Sequence, residues 1–497
     1  MILLKTYARA ACFELTGDSA YYSNEKLAVY LNGKHCIDID KNVFSIFNLE
    51  PATSYCVEVA NKVIVFKTEA EAALIEIDGW LPANNGLVLT NYLQAAINSC
   101  PQGGTIYFAA GTYLTGPLFL KSDINIYLAK GAELLAIPER NDYPVLPARL
   151  PVDNKVISSW EGEPNQAFAS LITAVNISNV NIYGEGIING NADNPRADWW
   201  HDCTTKRGAW RPRTVFMAQC HNITMCGVTV KNSPSWTVHP LLSHKLSFFN
   251  LNIENPPNSP NTDGLNPEMS EQVEIIGTRI SVGDDCIAIK AGKGEWARKE
   301  GAPCRYLTIR NCLMQFGHGA VVLGSEMSAG VGEIVVQNCI FEGTDRGIRL
   351  KTRRGRGGYL DGLYVSNIKM LGVMTPFTIN SYYFCCDPDG KSDYVASKEP
   401  QPITDGTPVI KNLILSDIEA TDAHVAASFI YGLPEKLIEN VKITNMHVSF
   451  AENPTPEYPA MMRDLEKQTK GNYFFANIKN LKLTNVKAEG YDEYKGE

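Results

Sequence analysis

Four short stretches of this chain carry residue types that can do acid–base chemistry together. They are Asn261-Thr262-Asp263-Gly264, Gly283-Asp284-Asp285-Cys286, Gly317-His318-Gly319 and Arg349-Leu350-Lys351. Clustered carboxylates suit hydrolysis of a glycosidic bond. One must be protonated to donate to the leaving oxygen, while another stays ionised to activate water. Like charges held close together push one pKa upward, which supplies the protonated partner. A neighbouring arginine and lysine would grip a carboxylate on the substrate, most simply that of a uronic acid. Taken singly, each stretch has a plainer reading. Asp and Gly favour turns, a Gly-His-Gly is a loop with a solvated histidine, and an Arg-x-Lys strand is a solvated face. Only convergence of the four in space makes them a site.

The elements that would bring them together are repeated strands. From about residue 171 one pattern recurs: VNIYGEGI, ITMCGVTV, LSFFNLNI, VEIIGTRI, LTIRNCLM, IVVQNCIF, LYVSNIKM, LILSDIEA, VKITNMHV and LKLTNVKA. Each alternates apolar and polar residues on either side of a Gly, Asn or Asp. A period of roughly 20–50 residues is the mark of a solenoid. The central residue fits a tight bend with left-handed backbone angles, and stacked bends can join their amides into a ladder. Leucine-rich repeat spacing and its helices are missing, so the expected fold is all-β, a right-handed parallel β-helix.

Aligning the strands puts Asp263-Gly264-Leu265-Asn266, Asp285-Cys286-Ile287-Ala288 and Gly319-Ala320-Val321-Val322 in equivalent places. Asp284 then matches His318, and Gly347-Ile348-Arg349-Leu350-Lys351 matches Cys286-Ile287-Ala288-Ile289-Lys290. Equivalent positions in adjacent coils stand about 4.8 Å apart. Alternation puts Arg349 and Lys351 on one face of their strand. The run Lys351-Thr352-Arg353-Arg354-Gly355-Arg356 either extends an anion site or forms a flexible basic loop. Insertions near 138–166, 190–213 and 376–408 carry Trp160, Trp199, Trp200, Trp210, Tyr382 and Tyr383, which either stack on sugars or pack on the solenoid wall.

Residues 1–72 read as a separate small β-sandwich, with short alternating strands LAVYL, HCIDI, VFSIF, YCVEVA and VIVFKT. Leu49-Glu50-Pro51-Ala52-Thr53-Ser54-Tyr55-Cys56-Val57 resembles a strand entry of a fibronectin type III domain, with Tyr55 in the place of the corner tyrosine. Residues 73–497 are then expected to form the β-helix. A helical pattern around Leu93-Gln94-Ala95-Ala96-Ile97 is expected to cap its first coil.

Composition narrows the function classes. Over 497 residues the formal net charge is -9, an acidic balance that argues against a nucleic-acid partner. No stretch approaches the roughly 20 apolar residues that span a bilayer. Lys5, Arg9 and Glu14 break up the N-terminal apolar run where a secretory signal needs roughly 7–15 unbroken residues, so a cytoplasmic location is expected. Thirteen cysteines without metal-ligand spacing read as buried free thiols, and neither a metal nor a cofactor is expected.

The four stretches, in this order, resemble the polygalacturonase family, glycoside hydrolase family 28. The segment Asn232-Ser233-Pro234-Ser235-Trp236-Thr237-Val238-His239-Pro240 is similar to the one preceding the family's first aspartate. The resemblance covers roughly residues 75–490, with Arg349-Leu350-Lys351 in place of the commoner Arg-Ile-Lys. It implies that Asp284 is the general acid, that Asp263 and Asp285 hold the attacking water, and that His318 keeps the acid's hydrogen bonds in order. Asn261, Arg349 and Lys351 are then expected to bind galacturonate, and hydrolysis to invert the anomeric centre. Related rhamnogalacturonan hydrolases lack this histidine and basic pair, so galacturonate is expected on both sides of the cut. The N-terminal module is similar to that of some bacterial exo-acting members, which implies exo action on oligogalacturonates. Three rival readings are an endo-polygalacturonase, a calcium-dependent β-helix pectate lyase, and a glycan-binding β-helix without turnover.

Overall fold

The computed structural model describes residues 1–77, 87–384 and 388–492. Within the expected solenoid span of 73–497, residues 78–86, 385–387 and 493–497 thus lie outside the described residues.

Ten bends set the solenoid. The central residues of the ten repeats all hold positive φ: Gly184, Gly227 and Gly277, with Asn250, Asn311, Asn338, Asn367, Asp417, Asn445 and Asn485 between 50° and 55°. Only glycine and short polar side chains enter this region cheaply, which is why no other type occupies the bend. The amides also stack: Asn485 Nδ2 donates to Asn445 Oδ1 at 3.0 Å, and Asn445 Nδ2 donates to Asp417 Oδ1 at 2.9 Å. On either side of each bend the strands pair in parallel with the coil before and the coil after. Val336, for example, stands opposite Ile309 on one side and Val365 on the other. The result is a right-handed parallel β-helix whose inward side chains form one continuous apolar core from Ile77 to Ala488.

A further face of the solenoid carries the residues of interest. Its strands run through Leu118–Phe119, Ile172–Val175, Val215–Ala218 and Val238–Leu241, and resume at Asp285–Ile289, Gly319–Gly324, Arg346–Lys351, Thr375–Asn380, Ala426–Tyr431 and Gly471–Ala476. Between the two groups lies one irregular tier, where Leu265 bridges Val238 to Ile287 and Glu268 bridges Leu241 to Lys290. The helix Thr90–Ser99 buries Leu93 and Ile97 over the first coil.

The first 67 residues form two antiparallel sheets. One joins Ile2–Thr6, Ala10–Glu14 and Val43–Phe47; the other joins Lys34–Lys41, Tyr22–Leu31, Ser54–Val59 and Lys62–Lys67. Phe13, Val29, Phe44, Val57 and Phe66 fill the space between them. The Tyr55 hydroxyl accepts from the Glu50 amide at 2.9 Å, a corner bond that ties the chain back on itself. This unit is docked on the solenoid by apolar contact among Tyr7, Cys12, Val43, Tyr183, Cys226 and Ile276. At its margin Arg310 forms a fork on buried Glu14, with Nε to Oε1 at 2.8 Å and Nη2 to Oε2 at 2.9 Å.

The basic run 351–356 is largely buried rather than a flexible loop. Arg354 is fully buried, donating to Glu435 at 2.6 and 2.9 Å and to the Ser397 carbonyl at 2.7 Å. The insertion aromatics also pack rather than wait for a ligand. Trp199 and Tyr382 are buried, and Trp160 lies flat on Trp210 with ring centroids 4.6 Å apart. The guanidinium of Arg213 sits over Trp160 at 5.0 Å and over Trp236 at 5.2 Å.

Candidate active site

The strand register carries the four stretches onto one patch. Asp285 stands opposite Gly319, Ile287 opposite Val321 and Leu265 opposite Ile287, so Asp263, Asp285 and Gly319 share a column. One residue earlier, Asp284 stands beside His318, whose amide donates to the Asp284 carbonyl at 3.0 Å. Ile348 stands opposite Val321 and Arg349 opposite Val322, which carries Arg349 and Lys351 to the next tier.

Each aspartate has its own cation. Lys351 Nζ donates to Asp285 Oδ2 at 2.7 Å, with Arg349 Nη1 at 3.5 Å from the other oxygen. His318 Nδ1 lies 3.1 Å from Asp284 Oδ1. Lys290 Nζ lies 3.9 Å from Asp263 Oδ2, to which Asn266 also donates at 2.7 Å. Asp263 and Asp285 are buried, whereas His318 is half exposed at the mouth. Asn261 is on the same rim but is already engaged, its Oδ1 accepting from Arg211 Nη2 at 2.6 Å.

These surroundings pull the carboxylates apart. Burial, then the neighbouring charge of Asp284, raises Asp263 well above the usual carboxylate range, with Asp285 adding to the rise; Lys290 and Lys351 oppose it. Burial acts on Asp284 in the same sense but is outweighed by His318, which holds it down at about 2. The bond to Asp284 lifts His318 to about 9. Burial disfavours the Lys351 ammonium, yet facing Asp285 leaves it above its ordinary value. Two aspartates thus face lysines and the third faces a histidine that Asp284 holds in its charged form through neutral pH. A proton can pass along the His318–Asp284 bond; a lysine at these pKa values is a fixed charge.

Several residues of the patch carry no mark in the isolated stretches. Lys290 is held by Glu326 at 2.9 Å and lies 4.6 Å over the Trp236 ring. Its signal was the strand alignment itself, which places it level with Lys351. Buried His239 shares Glu268 with Ser159, at 2.9 Å each, beneath the hairpin Ser159–Trp160 and Glu163–Pro164. Two later segments come down on the basic pair. Met461 Sδ is 3.1 Å from Arg349 Nη2, and the Tyr383 ring is 5.5 Å from Lys351 Nζ. Buried Arg346 pins the first of these through the Pro459 carbonyl at 3.1 Å.

Residues 152–455 match the model of glycosyl hydrolases family 28, a span that contains Asp263, Asp284, Asp285, Lys290, His318, Arg349 and Lys351. The chain belongs to this family. Among relatives in it, an endo-polygalacturonase of Pectobacterium parmentieri is 28% identical over 365 residues, covering 71% of this chain and 84% of its own. An exo-poly-α-D-galacturonosidase of Dickeya chrysanthemi is 26% identical over 467 residues, covering 84% of this chain and 74% of its own. The family 28 exopolygalacturonase structure of Yersinia enterocolitica superposes with a TM-score of 0.69 at 20% identity, over 99% of this chain and 96% of that one. This last likeness extends the shared fold through the N-terminal sheets of this family 28 hydrolase.

Proposed function

We propose that this family 28 enzyme hydrolyses the α-1,4 bond between galacturonate residues of pectic oligogalacturonates, acting from a chain end with inversion. The observation that carries the reading is the pairing of each of three clustered aspartates with its own cation, beside buried Arg349 and Lys351. Asp284 serves as general acid, taking its proton across the 3.1 Å bond from His318 as the leaving oxygen approaches. Asp263 and Asp285 orient and deprotonate the water. Arg349 and Lys351 bind the sugar carboxylate, and Asn261, held by Arg211, contacts the sugar.

Exo action is supported by the two segments that descend on Arg349 and Lys351. Relatives of both endo and exo type surround this chain, so the products decide. Incubation with oligogalacturonates of defined length is expected to release one product size from the start, monomer or dimer. A ladder of intermediate lengths would point to endo action instead. We also place the enzyme in the cytoplasm, a reading supported by free thiols at every described cysteine.

One observation favours a second assignment, in which Asp263 is the proton donor: its pKa is the one raised. A substrate with an activated leaving group separates the two, because it needs no acid. Such a substrate is expected to rescue Asp284→Asn and to leave Asp263→Asn inactive; the reverse pattern assigns the acid to Asp263.

A further inference from the structure

We infer that Lys290, anchored by Glu326, is a positioning residue that holds Asp263 in place and favours its charged form. The inference rests on the proposed role of Asp263 on the attacking water and adds to it the group that makes the role available.

The geometry leaves Lys290 little else to do. Its side chain is 5% exposed. Glu326 lies 2.9 Å from Nζ, Asp263 lies 3.9 Å away, and the Trp236 ring closes a third side at 4.6 Å. Gly162 presses on Glu326 from the hairpin above, since a Cβ there would come within 2.6 Å of Glu326 Cγ. The Gly162 carbonyl is itself fixed by the Lys293 amide at 2.8 Å and by Trp296 Nε1 at 2.9 Å. A buried ammonium persists only with well-placed partners, and here the two are carboxylates. Asp263 faces Asn266 from its own segment, Asp284 and Asp285 from the next strand, Lys290 at the end of that strand, Lys351 one tier further on, and buried Arg213 from just before the strand Val215–Ala218. Two of these charges repel its negative form. Of the three that favour it, Lys290 is the one within 4 Å, and so weighs most on where along the pH scale Asp263 gives up its proton.

Lys351 offers the contrast. It occupies the level position two strands on but is spent on Asp285 at 2.7 Å. Without Lys290, Asp263 would have only the more distant Lys351 and Arg213 against two adjacent negative charges.

The test is the pH dependence of kcat/KM on trigalacturonate, with thermal unfolding as a check of folding. Lys290→Met is expected to move the acid limb upward by about one unit or more, an activity loss of about tenfold on that limb, while the alkaline limb stays. Lys290→Arg is expected to return the limb close to its original place. Glu326→Gln, which removes the competing carboxylate and leaves Lys290 to Asp263 alone, is expected to move the acid limb downward. It also serves if Lys290→Met fails to fold. A uniform loss with both limbs in place, or a rise in KM alone, overturns the inference. Movement of the alkaline limb instead makes Asp263 the acid and overturns it too. Full activity in Asp263→Asn would remove the underlying role of Asp263 without reference to Lys290.

Discussion

His318 and Asp284 are joined twice across adjacent tiers, by Nδ1 to Oδ1 at 3.1 Å and by the His318 amide to the Asp284 carbonyl at 3.0 Å. The backbone bond fixes the side-chain bond, so the pair does not depend on a freely rotating histidine.

The pair has a pH window. His318 is raised from 6.5 to about 9, so its contribution to stability is whole below about 6.5 and is lost as pH rises through 9. Asp284 is lowered from 3.8 to about 2, so its contribution is whole above 3.8 and is lost as pH falls through 2. Both operate fully only between those two ordinary values. His318→Gln is expected to lower Tm most in that window and progressively less as pH rises through about 9. With His318 half exposed, the difference should stay within about 1 kcal/mol. A Tm difference that is constant with pH would contradict the assignment.

Gly317 has φ +77°, and a Cβ there would stand 2.3 Å from the Asp284 carbonyl oxygen. Gly317→Ala must therefore push the two tiers apart where they are joined. The expected cost is about 1–3 kcal/mol in denaturant unfolding, with kcat reduced at least about tenfold. Unchanged kcat would mean that the His318–Asp284 spacing is unimportant.

Removing one partner of a buried pair leaves the other uncompensated. Lys351→Met strands Asp285, which is 1% exposed, with only Arg349 at 3.5 Å. Urea unfolding should show a loss of about 3 kcal/mol. Wild-type stability would show that water or Arg349 replaces the lysine.

Arg354 ties Glu435 to the segment through Ser397, and so braces one of the two segments that descend on Arg349 and Lys351. Arg354→Ala is expected to loosen that end and add intermediate lengths to the product mixture, read by product sizing over time. An unaltered single product would detach chain-end specificity from this brace.

At the N-terminal unit, Arg310→Ala leaves buried Glu14 with Asn311 at 2.7 Å as its remaining donor. Calorimetry is expected to resolve an earlier transition for the first 67 residues, followed by that of the solenoid. A single transition at the wild-type temperature would show that apolar contact alone secures the docking.

The solenoid was legible because its constraint is local and repeated. Asn, Asp or Gly at each of the ten bends, from Gly184 to Asn485, is required by backbone sterics, and the alternation on either side then fixes the register. Register in turn placed Asp263, Asp284, Asp285 and His318 together, because the period of two allows no slip without turning each side chain over. What escaped was whatever the period does not control. Arg211, Arg213 and the Trp160–Trp210 stack lie in insertions, where no repeat predicts a neighbour. Arg354 reads as surface charge until its carbonyl acceptors, some forty residues later in the chain, are seen. Lys290 was aligned but unremarked, since its partner Glu326 lies in a loop beyond the next strand.

The tiered plan also orders how the molecule comes apart. Coils bind only their neighbours, so fraying starts at an open end and advances coil by coil. Beyond Arg346–Lys351 stand Thr375–Asn380, Ala426–Tyr431 and Gly471–Ala476, whereas the carboxylates lie deeper. Mild denaturation from the C-terminal side is therefore expected to disturb Arg349 and Lys351 before it reaches Asp263, Asp284 and Asp285.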